Sequence, residues 1–124
     1  MFRIDEEKTI HITRGDIAII SVDAMVGNIP YKFRKGDVVR FTVYGKKNCA
    51  DVVLQKDFTA AEDCEAITIQ LESADTKIGE VINKPTDYWY EVELNPETTP
   101  QTIIGYDDNG AKVFKLYPEG VKEA

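Results

Sequence analysis

The segment Tyr88-Trp89-Tyr90-Glu91-Val92-Glu93-Leu94 alternates without a break. In an extended chain successive side chains point to opposite faces. Tyr88, Tyr90, Val92 and Leu94 therefore share one side, and Trp89, Glu91 and Glu93 share the other. A helix would scatter both sets around its circumference. The pattern predicts a central strand that lays its tyrosine face against a core. A strand with one apolar face needs a second layer to cover it, so a two-layer β-structure is expected.

The rest of the chain repeats the message. Short apolar runs recur at intervals of about ten residues, with turn residues between them. Strands are expected over 9–13, 17–22, 38–44, 52–58, 66–72, 88–94, 101–106 and 112–116. Within 38–44, Val39, Phe41 and Val43 point inward and Arg40 and Thr42 outward. Runs 52–58 and 66–72 read as an antiparallel pair, the second with Ile67, Ile69 and Leu71 inward. Ser73 can cap one helical turn over Ala74 to Ile78, which Gly79 would end. Asp107-Asp108-Asn109-Gly110 puts an Asn-Gly hairpin signal between the last two runs. The expected core is Ile10, Ile12, Ile19, Val39, Phe41, Val43, Leu54, Ile67, Ile69, Leu71, Tyr88, Tyr90, Val92, Leu94, Phe114 and Leu116. With no linker and no low-complexity stretch, residues 1–124 read as one domain.

One internal echo is visible. Arg14-Gly15-Asp16 and Lys35-Gly36-Asp37 each precede an apolar strand. A reused turn explains both, with Gly supplying the unusual φ and Asp holding the next amides. The same explanation removes the Arg-Gly-Asp tripeptide as an adhesion signal.

Charge narrows the partners. Twenty-two acidic against 15 basic residues give a net charge of −7. Such a surface repels phosphate backbones and anionic lipid, so neither nucleic acid nor membrane is an expected partner. No segment approaches the roughly 20 apolar residues of a membrane span. Met1 to Glu7 lacks the apolar stretch of a secretory signal, which points to a chain made and kept in a cytoplasm.

No catalytic, cofactor or metal site is expected. His11 is the sole histidine, and Thr9 and Thr13 beside it bring neither nucleophile nor ligand set; it reads as an exposed strand residue. Cys49 and Cys64 lack zinc spacing. In a 52–58/66–72 hairpin they would lie tens of Å apart at about 3.3 Å per residue, so free thiols are expected. Asp107 to Gly110 lacks the alternating oxygens and late Glu of a calcium loop. The clusters at Asp5-Glu6-Glu7 and Glu62 to Glu65 read as solvated charge. Glu91 and Glu93 sit on one strand face, not opposed across a cleft as glycoside hydrolysis requires. What is left as a binding surface is Trp89 with Glu91 and Glu93. An indole there can anchor a partner or stack on a sugar ring, and cover by a loop or a subunit is expected.

Ser73-Ala74-Asp75-Thr76 before an aromatic strand resembles the E-to-F corner of an immunoglobulin-like sandwich, and Asp87-Tyr88-Trp89-Tyr90 resembles its tyrosine-corner region. The cysteine pair and core tryptophan of antibody domains are absent. The implied fold is an all-β, immunoglobulin-like β-sandwich of about eight strands, with one helical turn near residues 73–79. More specifically, Ile12 to Asp16, Phe33 to Val43 and Tyr88 to Leu94 resemble segments of the N-terminal domain of upper baseplate proteins from phages and prophages of Gram-positive bacteria. Val113-Phe114-Lys115-Leu116 would be the closing strand. The resemblance implies a non-catalytic virion component of the tail or baseplate, assembled in the cytoplasm of a bacterial host. Its partners would be other phage tail or baseplate proteins and further copies of itself. The first and last strands are the expected docking edges. A rival reading is a carbohydrate-binding module that recognises host cell-wall polysaccharide through Trp89 and nearby tyrosines.

Overall fold

The computed structural model describes residues 1–119. Eleven strands and one helical turn follow along the chain: β1 (Phe2–Ile4), β2 (Ile10–Thr13), β3 (Ala18–Val22), β4 (Ala24–Val26), β5 (Ile29–Tyr31), β6 (Val38–Tyr44), β7 (Val52–Thr59), β8 (Ile67–Leu71), α1 (Ser73–Thr76), β9 (Thr86–Leu94), β10 (Gln101–Ile104) and β11 (Lys112–Tyr117). One sheet has the order β1-β2-β11-β9-β6-β7, with β10 also on β9. β3 and β8 form a second sheet, and β4 and β5 a small hairpin. All pairings are antiparallel except β2 with β11. With β6, β9 and β11 in one layer and β3 and β8 in the other, the fold is all-β and sandwich-like.

The core lies between these layers. Phe41, Phe114, Val39, Val43, Ile10, Ile12 and Leu116 from the large sheet meet Ala18, Ile20, Val22, Ile69 and Leu71 from the small one, all buried. Phe41 packs on Tyr90 and Phe114, with ring centroids 5.6 and 6.3 Å apart. Phe33 is also fully buried. It lies outside the named strands and is held by a two-way backbone bridge to Cys64 (2.8 and 2.9 Å).

All eight expected strands form, and β1, β4 and β5 are additional. Several expected relationships differ. β7 pairs with β6, and β8 with β3, so 52–58 and 66–72 are not a hairpin. Lys112 to Leu116 and Gln101 to Ile104 do not pair with each other. Both run along the same edge of β9, as one strand interrupted at 105–111. The Asn-Gly turn closes on itself inside that interruption, where the Gly110 N–H donates to the Asp107 carbonyl at 2.8 Å. β2 and β11 are interior strands, each flanked on both sides, so neither is a docking edge. Ile19 is 62% exposed while Ile20 is buried, which shifts the phase of β3 by one residue. Leu54 and Tyr88 are only half-buried against the core. The helical turn begins one residue early, with Glu72 at the N-cap position and its N–H donating to the Asp75 carboxylate at 2.8 Å. Both cysteines are free.

The two Gly-Asp turns share one geometry. The Asp16 N–H donates to Thr13 and the Asp37 N–H to Arg34, at 3.0 and 2.9 Å. Gly15 and Gly36 stand at φ +89° and +94°. These are type II turns, whose third residue needs positive φ. Arg14 is committed elsewhere: it donates to the Gly79 carbonyl (2.8 Å) and pairs with Glu119 (2.7 Å). That leaves no free arginine for an adhesion loop.

Candidate functional site

The outward face of β9 carries Trp89, Glu91 and Glu93, as the alternation predicts. Register places Trp89 between Tyr44 and Val113, Glu91 beside Thr42, and Glu93 between Arg40 and Thr102. All three are half-buried. Trp89 is thus neither sealed in the core nor fully exposed.

Glu91 is the polar centre of this face. Its carboxylate accepts the Tyr44 hydroxyl at 2.5 Å. Burial, then this bond, pushes the Tyr44 phenol well above its usual range. Burial also raises Glu93, and the negative charge of Glu91 adds to it against the counter-pull of Arg40. Burial and the same carboxylate raise the Cys49 thiol. The Cys49 thiol is thereby held toward its protonated, less nucleophilic form. Arg40 is clamped by Asp57 through two bonds of 2.8 and 3.0 Å. Thr42, though outward, is buried beneath the Gln55 amide.

His11 departs from its expected exposure: it is 8% exposed. Its Nε2 lies 2.9 Å from Asp5 and its Nδ1 2.8 Å from the Tyr117 hydroxyl. The bond to His11 is the main cause that holds the Asp5 carboxyl below its usual range. An Asp-His-hydroxyl chain invites a nucleophilic reading. However, none of the main clefts among the described residues is lined by any of these three side chains. The chain ties the β1–β2 turn to β11, with every polar atom satisfied. Sequence reasoning missed it because Tyr117 lies 106 positions from His11. The Asp5 partner, six positions away, was the only local signal.

No group of three or more His, Cys, Asp or Glu side chains able to hold a metal occurs among the described residues. No helix among them is long and apolar enough to cross a membrane.

The most open feature lies in the small sheet. β3 pairs with β8 alone, and its far side bonds to no strand of the described residues. Ile17 and Ile19 beside that edge are 54% and 62% exposed. Between β3 and β10 runs a cleft of about 250 Å³ lined by residues 21–25 and 101–104, with Lys8, Tyr31 and Leu94. A smaller apolar hollow of about 70 Å³ shares Lys8, Ser21, Val22 and Ile104 with it, and reaches Ile4, Ile20 and Tyr90. Sequence reasoning placed Ile19 inward and so hid this stripe.

Comparison with known proteins adds no relative: no protein-family model matches the sequence, and no curated protein or solved structure matches it significantly.

Proposed function

We propose that this chain is a non-catalytic structural protein of a phage or prophage virion, which assembles by docking on other tail or baseplate proteins. The observation that carries the reading is the uncovered edge of β3 with Ile17 and Ile19 exposed beside it. An unpaired strand edge presents a row of N–H and C=O groups that a partner strand can satisfy. Large exposed aliphatic residues add apolar area that association would bury. The segments that resemble baseplate domains supply the virion context.

The test is co-expression with each tail protein encoded beside its gene, followed by size-exclusion chromatography with light scattering. A complex of defined stoichiometry is expected. A persistent monomer ignored by every tail protein would sink the reading. The sugar-binding alternative rests on Trp89 and nearby tyrosines and predicts a saturable change in tryptophan fluorescence on titration with cell-wall polysaccharide. A flat titration at millimolar sugar removes it.

A further inference from the structure

We infer that the uncovered edge of β3 receives an extended segment of a partner protein, one with alternating apolar residues and lysine or arginine at its ends. This rests on the assembly reading and names its edge and the chemistry of its partner. The other sheet edges are blunted. β1 is a three-residue strand with Arg3 at its centre. β5 contains Pro30, and β7 carries Lys56 and Asp57. The register of β10 against β9 shifts between Thr102 and Ile104. On β8 the Lys56 ammonium caps the Gln70 carbonyl at 3.3 Å. Short strands, proline, bulges and charges are the usual guards against edge-to-edge pairing. β3 has none of them: from Ile17 to Val22 it holds no charge, no proline and no bulge.

The direction of its backbone follows from the same lysine. Gln70 turns its carbonyl toward Lys56, away from β3. Its pair with Ile19 is therefore a non-hydrogen-bonded one, and the N–H and C=O of Ile19 face the open side. By alternation the same holds for Ser21 and Ile17. An added strand would satisfy these groups. Its outward side chains would lie beside exposed Ile17 and Ile19. An inward one would enter the hollow of about 70 Å³ lined by Ile4, Ile20, Val22, Tyr90 and Ile104. That space exceeds the roughly 30 Å³ a water takes in the liquid, and it suits a small aliphatic side chain.

Charge selects the partner. The chain carries −7 overall. Asp23, exposed at the end of β3, and Lys8, which lines the same cleft, both make no ion pair among the described residues, so the overall charge sets the preference. A second copy would bring the same excess of acids, whereas a basic-ended strand would be attracted.

The probe is a synthetic peptide, acetyl-Lys-Val-Thr-Val-Thr-Val-Lys-amide, titrated into the full chain. Amide hydrogen exchange and light scattering are the readouts. A one-to-one complex is expected, with exchange of the Ile17, Ile19 and Ser21 amides slowed by about tenfold or more and the β10 amides unchanged. Replacing both peptide lysines with glutamate should remove the effect at low salt. Ile19→Lys should also remove it while leaving the thermal midpoint in place, since the side chain is exposed. Should that variant fail to fold, a peptide N-methylated at alternate residues serves as the second control. Unchanged β3 exchange at millimolar peptide would overturn the inference, as would protection of residues 101–104 instead. A dimer of the chain paired through β3 would also overturn it. The two readings fail separately. A peptide that protects β3 without any tail-protein complex keeps the edge and ends the virion reading. A tail-protein complex with β3 exchange unchanged does the reverse.

Discussion

The Thr76 hydroxyl, fully buried in the single helical turn, donates to the Asp16 carbonyl at 2.8 Å and accepts from the Gly15 N–H at 3.0 Å. One side chain thus satisfies both faces of a type II turn 60 positions away in sequence. It fixes the entry to β3 against the exit from β8. Thr76→Val keeps the volume and removes the hydroxyl, stranding a partly buried donor and acceptor. A loss of about 1–3 kcal/mol is expected, measured by urea unfolding with an unchanged m-value. Thr76→Ser should recover most of it. A fully stable valine variant would show that this contact does not hold the turn.

The phase of β3 supports a paired prediction. Ile20 is 6% exposed inside the core, whereas Ile19 is 62% exposed on the same strand. Ile20→Ala should cost about 2–5 kcal/mol by deleting buried methylenes and leaving a cavity. Ile19→Ala should stay within about 0.5 kcal/mol, as surface changes do. Equal losses in the two variants would mean that the strand sits in the other phase.

This strand also marks the limit of what alternation can decide. In β9 one phase is apolar and the other bears acids, so the pattern by itself puts Tyr90, Val92 and Leu94 inside. Ile17 to Val22 offers isoleucine in both phases, and only Ser21 breaks the tie. The Asn-Gly turn is a true local signal, since Asp107 and Gly110 do close on each other. Whether a turn joins two strands or interrupts one depends on the neighbour, here β9, that both segments share. The parallel pairing of β2 with β11 and the His11–Tyr117 bond are longer-range still, and alternation carries no trace of them. Of the candidate surface, the grouping of Trp89, Glu91 and Glu93 is legible in the sequence. The Tyr44 hydroxyl that occupies Glu91 is not, because register between β6 and β9 is a tertiary property.

Asp37 contributes to the acid limb of stability. Burial pushes its carboxyl up, but three donors outweigh it: the Arg34 N–H (2.9 Å), the Tyr31 hydroxyl (2.7 Å) and the Asn95 amide (3.1 Å) hold it below its ordinary value. A carboxyl lowered in the folded state stabilises above its unfolded value of about 3.9, and that contribution fades as pH falls through the folded value. Asp37→Asn should therefore cost about 1–2 kcal/mol at neutral pH, with partial exposure keeping it toward the low end. The gap from the parent should close below about pH 4. Thermal melts across the acid range give the comparison. A gap that stays constant with pH would assign the loss to packing and not to the carboxylate.

The alkaline limb carries the opposite sign, and three tyrosines set it. Tyr31 is raised chiefly by its bond to Asp37, Tyr44 by burial and then by Glu91, and Tyr90 by burial and then by the charge of Asp5. Tyr90 also donates its hydroxyl to the Lys8 carbonyl at 2.5 Å. Each phenol is harder to ionise folded than unfolded. Its stabilisation is therefore complete below the unfolded value of about 10 and is lost as pH rises through the folded value. Near-ultraviolet titration should show the native chain withholding part of the tyrosine ionisation that the urea-unfolded chain completes near about pH 10. The withheld part should appear together with loss of the β-sheet circular dichroism signal. Tyr44→Phe should reduce it by one phenol's amplitude and free Glu91 of its donor. Native and unfolded curves that superimpose would contradict the raised state of all three phenols.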